Sequence, residues 1–495
     1  MVSTTLEVIS MPKPIQKILF CEPRSEKLHI YSKFALPRIG STLLATIMRD
    51  RGYDCKAYFM NTNDFLDLNI DADLLCLSTI TTTAPSAFKI AQVYRSRKIP
   101  VIIGGPHVTA LPEEALEYAD YVIRGEGEIP LPALVHALNN NTPLEDVPGL
   151  SWKDGTQIHH NTLPHPIEDL DSLPFPDYSL LDSAGSKTNG ISLKPTIPFQ
   201  TSRGCPFDCK FCSVTAMFGK KFRYRSVESV INELKQYNPK ECIIFFYDDN
   251  FSANRARTKR LLRAMIENED TFGGKFAWST QVRVDIAQDL ELLDLMKQAG
   301  CVTLYIGFES IDPAALIEMN KRQSVEDIIL AIKEINKRKI MIHGMFILGF
   351  DVDTKETLKT TVKFAIKQKI GTAQFLILTP LPGTDFYYEM KDTGRLVDNN
   401  WQEYDSHHVK FKPKHFTYWE LQKMQIWAHG RFYRYRYVFW KLFRGKGREF
   451  IIGMYANHLN KRWQVWEKVY LQWIKRLSNQ SPEEVQFKRL QALKV

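Results

Sequence analysis

Short apolar runs alternate with helix-patterned segments over the first quarter of the chain. Five of these runs are predicted to be strands: residues 18–21, 54–58, 74–77, 101–103 and 121–123. The segments 41–51 and 86–97 between them carry apolar residues at helical spacing. Strands and helices in alternation predict a doubly wound parallel sheet, whose ligands lie beyond the carboxyl ends of its strands.

Three loops follow predicted strands at that edge, with the sequences STITTT (78–83), GGPHVT (104–109) and RGEGE (124–128). Glycine lets the backbone approach a flat ligand closely, and hydroxyl and carboxylate oxygens hydrogen-bond to it. Taken singly, the histidine and the two carboxylates also fit solvated loop side chains. Eight residues are candidate ligand contacts: Ser78, Thr79, Gly104, Gly105, His107, Gly125, Glu126 and Glu128.

The pattern loosens over residues 143–194, where turn-forming residues are frequent, and this segment is predicted to be an ordered linker. Six strand candidates follow: residues 198–201, 242–247, 276–281, 303–307, 340–348 and 374–379. Each adjoins a helical pattern, so residues 195–396 are predicted to form an incomplete version of the (β/α)8 barrel. Chemistry in such a barrel takes place at the carboxyl ends of the strands, which here are polar.

The stretch TSRGCPFDCKFCSV, residues 201–214, places Cys205, Cys209 and Cys212 at spacings of four and three, with Phe211 before the last cysteine. A closed zinc site or an electron-transfer cluster takes four protein ligands, and no fourth cysteine or histidine lies nearby. Three thiolates therefore leave one metal position open for chemistry. The alternatives are a zinc knuckle with a distant fourth ligand, and three unrelated thiols.

This cysteine spacing resembles the C-x3-C-x2-C signature of the radical SAM superfamily. The resemblance implies that the three cysteines hold a 4Fe–4S cluster whose fourth iron binds S-adenosylmethionine (SAM). It implies that one-electron cleavage of SAM releases a 5′-deoxyadenosyl radical, and that a reducing donor such as flavodoxin or ferredoxin supplies the electron.

The same resemblance assigns SAM-binding roles to residues at the strand ends of the predicted barrel. Asp248 and Asp249 stand where the family contacts the SAM amine, without its usual Gly-Gly-Glu form. Arg283 and Glu309 match positions that contact the SAM carboxylate and ribose in relatives. Phe211, within the cysteine signature, is counted with them. The alternative is that the four charged residues are solvated side chains of the barrel rim.

The N-terminal region is similar to the cobalamin-binding domain of a large radical SAM subclass, in the stretches GGPHVTALPEEAL and VIRGEGE. This similarity implies cobalamin as a third cofactor, bound by the three loops. The chain lacks the D-x-H-x-x-G motif, whose histidine is a lower axial cobalt ligand. That motif is often missing in the subclass, and some relatives keep the fold without the cofactor.

Composition narrows the class of protein further. A chain of 495 residues is long enough for two or three domains, and its 44% apolar and 24% charged residues are ordinary for a soluble protein. Eight cysteines, three of them in one motif, do not indicate a secreted disulfide framework. A low-potential cluster needs a reducing compartment, and no run resembles a signal peptide or a membrane span. We therefore expect a cytoplasmic protein.

The chain changes character in its last hundred residues, which are dense in Trp, Tyr, Phe, Lys and Arg. Residues 431–448 contain seven Lys or Arg and no carboxylate, and helices are predicted at 421–440 and 461–477. Three partners fit this composition: an anionic membrane surface, nucleic acid, and the mouth of the barrel itself. Nucleic acid is the least favoured of the three. The predicted outcome is packing against the barrel together with peripheral membrane contact.

The predicted architecture is α/β, in four parts. These are a cobalamin-binding-like domain at 17–142, a linker at 143–194, a partial barrel at 195–396 and a mainly helical region at 397–495. The resemblance implies C-methylation of an unactivated carbon, and the basic aromatic region favours a hydrophobic or lipid-like small molecule as substrate. One alternative is radical cyclisation or rearrangement, with or without cobalamin. Others are an iron–sulfur electron carrier or sensor, and an RNA-modifying radical enzyme.

Overall fold

The first domain is built on an eight-stranded sheet, as a computed structural model of the chain describes it over residues 14–26, 38–60, 69–182 and 194–479. Its elements in chain order are β1 (Lys17–Glu22), α1 (Ile39–Arg49), β2 (Asp54–Phe59), β3 (Leu74–Ser78), α2 (Ala84–Ser96), β4 (Val101–Gly104), α3 (Pro106–Ala110), α4 (Pro112–Ala115), β5 (Tyr121–Ile123), α5 (Pro130–Asn140), β6 (Leu150–Asp154), β7 (Gln157–His160) and β8 (Leu181–Asp182). The sheet order is β7-β6-β5-β4-β3-β1-β2-β8. Strands β1 to β5 pair in parallel, which confirms the predicted doubly wound sheet.

The predicted linker contributes three strands to this sheet. Strands β6 and β7 form an antiparallel hairpin on the edge of β5, and β8 pairs in parallel with β2. The hairpin turns at Gly155, whose φ of +57° lies in the left-handed region that favours glycine. An Asp-Gly pair between two strand-like segments is the local signal for such a turn, and the sequence interpretation did not use it.

The second sheet has six parallel strands and forms the partial barrel. Its part of the chain contains β9 (Thr196–Phe199), β10 (Ser202–Arg203), α6 (Ser213–Phe218), β11 (Arg223–Tyr224), α7 (Val227–Leu234), β12 (Ile243–Phe246), α8 (Arg255–Glu267), β13 (Trp278–Val282), α9 (Leu290–Gln298), β14 (Cys301–Glu309), α10 (Pro313–Glu318), α11 (Val325–Lys337), β15 (Met341–Leu348), α12 (Lys355–Lys367), β16 (Thr372–Ile377) and α13 (Asp385–Asp392). The order is β16-β15-β14-β13-β12-β9, and β10 and β11 form a separate antiparallel pair. All six predicted strands are present.

Four helices follow the barrel in the part of the chain that the structure describes: α14 (Tyr418–Phe432), α15 (Tyr435–Phe443), α16 (Gly447–Trp466) and α17 (Lys468–Ser478). The helix predicted at 421–440 breaks between α14 and α15, and the one predicted at 461–477 spans the junction of α16 and α17. None of the helices in the described ranges is long and apolar enough to cross a membrane. Phe432, Tyr433 and Val438 are buried in one apolar core with the barrel strands, so part of the aromatic region packs on the barrel.

Side chains and backbone from this last region cover the free edge of β16. The backbone N–H of Ala373 donates to the Tyr433 hydroxyl at 2.9 Å, and that hydroxyl donates to the Ala373 carbonyl at 2.8 Å. Two residues further along the strand, the N–H of Phe375 donates to Nε2 of His429 at 3.4 Å. The N–H of Ile377 donates to the carbonyl of Ser406 at 2.7 Å. Every second amide of the strand is therefore satisfied without a seventh strand.

Candidate active site

The cysteine loop lies between β10 and α6, beyond the first barrel strand. Cys205, Cys209 and Cys212 are free thiols of intermediate exposure, whereas the other five cysteines are buried, as their apolar surroundings predict. The loop begins at Gly204, which has a φ of +83°, and a Cβ there would collide with the carbonyl of Lys221. Phe211 is partly buried against the barrel core.

The three thiols are not placed to hold one metal ion together. The described ranges contain no group of three or more His, Cys, Asp or Glu placed to hold one metal ion. In a 4Fe–4S cluster each thiolate binds a different iron, so the sulfurs need to surround the cluster rather than converge on one atom. Burial raises the pKa of the Cys205 thiol, and that of Cys212 to about 11, so cluster assembly must release protons from this loop.

Asp248 is a fully buried anchor for the segment that leads to the cysteines. Its Oδ1 accepts hydrogen bonds from the backbone N–H of Thr201 at 2.8 Å and of Ser202 at 2.6 Å. The hydroxyls of the same two residues donate to its Oδ2 and Oδ1 at 2.8 and 2.9 Å. Because both oxygens are used within the protein, this carboxylate holds the loop in place and is not available for the SAM amine, contrary to the sequence prediction.

Asp249, the next residue, has no hydrogen-bond partner within the described part of the chain. Burial raises its pKa to about 7, with a further contribution from the neighbouring Asp248 charge. Its charge also raises the pKa of Cys205 and Cys212, so its carboxylate lies close to the thiols. An unpartnered carboxylate beside the cysteine loop fits the cationic amine of SAM.

Arg283 packs against the cysteine loop. Its guanidinium stacks on the ring of Phe207, 3.7 Å from the centroid, and its Nη2 donates to the carbonyl of Lys321. Nε of Arg283 is buried without a hydrogen-bond partner in the described structure. The stacking holds this guanidinium in place, and it still has N–H groups free to donate. Such a group suits a carboxylate ligand.

Glu309 ends the longest barrel strand in a strained conformation. Its φ of +60° is uncommon for a residue with a side chain, and such strain often occurs at functional sites. Its Oε1 accepts a hydrogen bond from Nζ of Lys321 at 2.7 Å, and both side chains are buried. A Cβ at Gly307 would collide with this carboxylate, so the glycine leaves room for it.

The loops predicted to contact cobalamin form a tightly bonded edge of the first sheet. The backbone N–H and the hydroxyl of Thr79 both donate to the carbonyl of Gly104, at 2.9 and 3.0 Å. Gly105 has a φ of +107°, and a Cβ there would collide with the Thr79 carbonyl. The carbonyl of Ser78 accepts a bond from Arg38, and the N–H of Gly125 donates to Thr109 at 3.0 Å. Gly105 is thus required by the loop itself.

His107 is buried rather than solvated, because a later part of the chain covers it. Its Nε2 lies 3.3 Å from Oε2 of Glu114, whose other oxygen accepts a bond from the Trp401 indole at 2.7 Å. The His107 and Trp401 rings meet edge to face at 5.1 Å. Trp401 follows the barrel in sequence, so it is the C-terminal region that covers this loop.

The same edge holds buried polar atoms that have no hydrogen-bond partner among the described residues: Glu22 Oε1, Ser25 Oγ, Arg38 Nη1, Ser41 Oγ, Ser86 Oγ and His107 Nδ1. They follow β1, β3 and β4, at the carboxyl ends of those strands. Buried polar atoms are normally satisfied, so this set indicates a polar ligand. Cobalamin, whose corrin ring carries amide side chains, fits it.

Glu126 and Glu128 join the two domains. Oε1 of Glu128 accepts a hydrogen bond at 2.6 Å from Arg203, which lies two residues before Cys205. Glu126 accepts two bonds from Arg223, at 2.6 and 3.0 Å, and lies 3.3 Å from Arg203. Burial alone would raise the pKa of Glu126, but the two arginines lower it. All four side chains are at most 8% exposed.

These contacts correct the sequence prediction for both carboxylates. Glu126 and Glu128 were expected to contact a ligand or to be solvated, and instead their oxygens are used by arginines of the β10–β11 pair. We call Glu126, Glu128, Arg203 and Arg223 the interdomain quartet. No local pattern indicates a role for Arg223, or for Lys321, Phe207 and Trp401, because their partners are distant in the chain or defined only by the fold.

Comparison with known families matches both parts of the chain. Residues 199–365 match the Radical SAM superfamily, and residues 28–135 match the B12 binding domain. An uncharacterized methyltransferase of Pyrococcus horikoshii is 34% identical over 80% of this chain and 88% of its own length. The bacteriochlorophyllide d C-12(1)-methyltransferase of Chlorobaculum tepidum is 28% identical over 81% of this chain and 84% of its own.

Other relatives carry different names. An anaerobic magnesium-protoporphyrin IX monomethyl ester cyclase of Cereibacter sphaeroides is 29% identical, over 78% of this chain and 64% of its own length. The hopanoid C-2 methylase of Rhodopseudomonas palustris is 28% identical, over 62% of this chain and 55% of its own.

Among solved structures, the radical SAM methyltransferase TsrM of Kitasatospora setae has the same fold. The TM-score is 0.62 at 18% identity, over 77% of this chain and 75% of TsrM. The two domain matches agree with the cysteine loop and the polar sheet edge that the structure brings together. The chain therefore belongs to the radical SAM superfamily of enzymes, among the members with a B12-binding domain, whose cofactors are a 4Fe–4S cluster, SAM and cobalamin.

Proposed function

We propose that this enzyme methylates an unactivated carbon of a hydrophobic or lipid-like small molecule, in a cobalamin-dependent radical reaction. The observation that carries the proposal is the interdomain quartet. It joins the loop before Cys205 to the RGEGE loop of the B12-binding domain, with Arg203 and Glu128 only 2.6 Å apart. Methyl transfer to a substrate radical needs both cofactor sites to reach the same substrate, and this contact holds the two loops together.

The residues present have distinct roles in this proposal. Cys205, Cys209 and Cys212 hold the cluster, and Phe211 packs behind their loop. Three further residues bind SAM through different groups: Asp249 takes the amine, Arg283 the carboxylate and Glu309 the ribose. When bound, the cluster and SAM supply a 5′-deoxyadenosyl radical, and cobalamin supplies a methyl group.

The protein controls the surroundings of this chemistry. Asp248 keeps the segment before the cysteines fixed through its four hydrogen bonds, and Lys321 holds the Glu309 carboxylate in place through a hydrogen bond. Loops at the edge of the first sheet surround the cobalamin, and His107 is buried behind them. The residues of these loops include Ser78, Thr79, Gly104, Gly105 and Gly125. A radical site tolerates motion of its surroundings poorly, and rigid placement of this kind limits that motion.

Relatives support methylation more than the alternatives, since several are named methyltransferases or methylases. Cyclisation is the second candidate, because a relative of similar identity is named a cyclase. Membership of an enzyme superfamily sets aside the electron carrier or sensor. We also propose that the enzyme works in the cytoplasm and is reduced by a flavodoxin or ferredoxin. Because a lipid-like substrate is held in a membrane, we propose that the enzyme makes peripheral contact with the membrane.

The test uses anaerobically reconstituted protein supplied with cobalamin, reductant and SAM. We expect bound cobalamin in the visible spectrum, and 5′-deoxyadenosine and S-adenosylhomocysteine by mass spectrometry. Cys209→Ala should abolish deoxyadenosine formation, whereas Cys242→Ala, which removes a buried thiol outside the motif, should not. Deoxyadenosine without S-adenosylhomocysteine, in the presence of bound cobalamin and candidate lipids, would favour cyclisation and contradict methyl transfer.

A further inference from the structure

Helix α15 has apolar residues on two faces. Tyr437, Val438 and Lys441 are buried against the barrel side. On the opposite face, Tyr435, Phe439, Leu442 and Phe443 are exposed, at the i, i+4, i+7 and i+8 spacing of a single helical stripe. A stripe of large apolar side chains in water is unfavourable unless something covers it.

The stripe continues onto the start of the next helix. The rings of Phe439 and Phe450 are 5.4 Å apart, and Ile451, 50% exposed, follows directly. Phe443, at the end of α15, is 84% exposed, which is the highest exposure among the large apolar residues of the described chain. The four side chains Phe439, Leu442, Phe443 and Ile451 form what we call the apolar tip of the α15–α16 hairpin.

The charged side chains of residues 431–448, the segment that carries most of the tip, are all of one sign. Arg436, Arg444 and Arg448 are exposed around it, and Arg444 lies 5.6 Å from the centre of the Trp440 ring. Residues 431–448 contain no carboxylate, and the first one after them, Glu449, is buried and paired with Lys446 at 3.0 Å. The hairpin therefore presents exposed apolar side chains together with exposed positive charges.

We infer that the apolar tip inserts into the headgroup region of an anionic lipid bilayer, with the arginines on the lipid phosphates. A basic helix with exposed aromatic and aliphatic residues is the form that interfacial helices take. This inference rests on the proposed function for its purpose, since it names the surface from which a lipid-like substrate is reached.

The full-length protein tests the inference by flotation with vesicles of phosphatidylcholine alone, or with about one third phosphatidylglycerol. We expect binding to the anionic vesicles that falls as salt is raised, because the arginine contribution is screened. Phe443→Ser should weaken binding at least about tenfold, because the apolar ring that the bilayer removes from water is replaced by a polar side chain. Arg444→Gln with Arg448→Gln should remove the preference for anionic lipid.

Matched controls separate the tip from general surface effects. Ile317→Ser removes an apolar side chain that is 79% exposed on α10, and Arg260→Gln with Lys235→Gln removes two exposed charges elsewhere; both should bind vesicles like the wild type. Binding that Phe443→Ser leaves unchanged would overturn the inference. Two other results would also overturn it. One is self-association in light scattering that the tip substitutions abolish, and the other is RNA binding that they abolish while vesicle binding is absent.

Vesicle binding is measured without SAM or turnover, so the two proposals fail separately. Binding without methylation would contradict the proposed function alone. Methylation by a protein that does not bind vesicles would contradict the membrane-binding inference alone.

Discussion

Asp248 and Asp249 are neighbours in the chain, and the fold gives their carboxylates different surroundings. Asp248 accepts four hydrogen bonds from Thr201 and Ser202, whereas Asp249 has no partner among the described residues. Successive side chains of an extended segment leave it on opposite sides, so one points into the protein and the other toward the cysteine loop. The sequence could place the pair at a strand end but could not separate their roles.

Substituting each aspartate should have opposite effects. Asp248→Asn should lower the free energy of unfolding by about 3 kcal/mol, because charge-assisted hydrogen bonds are lost and a buried group is left poorly paired. Asp249→Asn should leave stability unchanged or slightly raised, since it removes a buried charge without a partner, and should weaken SAM binding about tenfold. Urea unfolding and equilibrium dialysis with SAM measure the two effects.

The assignment of roles depends on this contrast. If Asp249→Asn unfolds the protein as readily as Asp248→Asn does, Asp249 is a structural residue. If SAM binding is lost only with Asp248→Asn, the roles are exchanged.

At the scale of elements, a buried histidine joins the segment before α14 to the end of α16. Nδ1 of His408 lies 2.9 Å from Oδ1 of Asp405, and its Nε2 lies 3.4 Å from Oε2 of Glu467. Burial lowers the pKa of His408, but Asp405, Glu467 and the nearby Glu403 outweigh it and raise the pKa to about 9. At neutral pH the ring is therefore a cation between carboxylates.

This histidine should make the stability of the C-terminal helices depend on pH. A pKa raised on folding contributes stability that is complete below the unfolded value of about 6.5 and is lost as pH rises through about 9. The difference in unfolding free energy between the wild type and His408→Asn should therefore be largest at acidic to neutral pH and shrink between about pH 6.5 and 9. Denaturant titrations at several pH values, with the exposed His458→Asn as control, measure it. A difference that grows with pH would show that His408 is neutral in the folded protein.

The elements were predictable where a local pattern specifies them. The strands of both sheets follow from apolar runs such as residues 74–77 and 101–103, and the alternation with helices specifies parallel pairing. The helix break after Phe432 was not predictable. The chain turns at Tyr433, which hydrogen-bonds to Ala373 of β16, 60 residues earlier in the sequence. Local propensity contains no information about such a contact.

At the scale of the whole molecule, the interdomain quartet determines how the two sheets meet. The cysteine triplet could be singled out from its spacing, whereas the partners of Glu126 and Glu128 could not, because Arg203 and Arg223 lie 75 and 97 residues further along the chain. Sequence reasoning placed the two carboxylates near a ligand since glycine-rich loops commonly hold one. The fold uses them instead to attach the B12-binding domain to the barrel.

Removing one member of the quartet should loosen the junction of the domains. Glu126→Gln leaves Arg223 buried without its carboxylate, which costs about 3–5 kcal/mol in proteins. We expect faster amide hydrogen exchange in the RGEGE loop and in β10 and β11, and a lower unfolding temperature. Glu356→Gln, which breaks an exposed pair with Lys359, should change stability by less than about 1 kcal/mol. Unchanged exchange at both loops in Glu126→Gln would mean that other contacts hold the domains.

The covering of β16 by the C-terminal region has a consequence for solubility. An uncovered outer strand offers a row of amides to any similar strand and is a site for aggregation. Here Tyr433, His429 and Ser406 take up the amides of Ala373, Phe375 and Ile377, so a second molecule finds no free row to extend. Burial lowers the pKa of His429 to about 3, so its ring stays neutral and keeps a lone pair for the Phe375 amide. The helices after the barrel thus protect the catalytic sheet from its own copies.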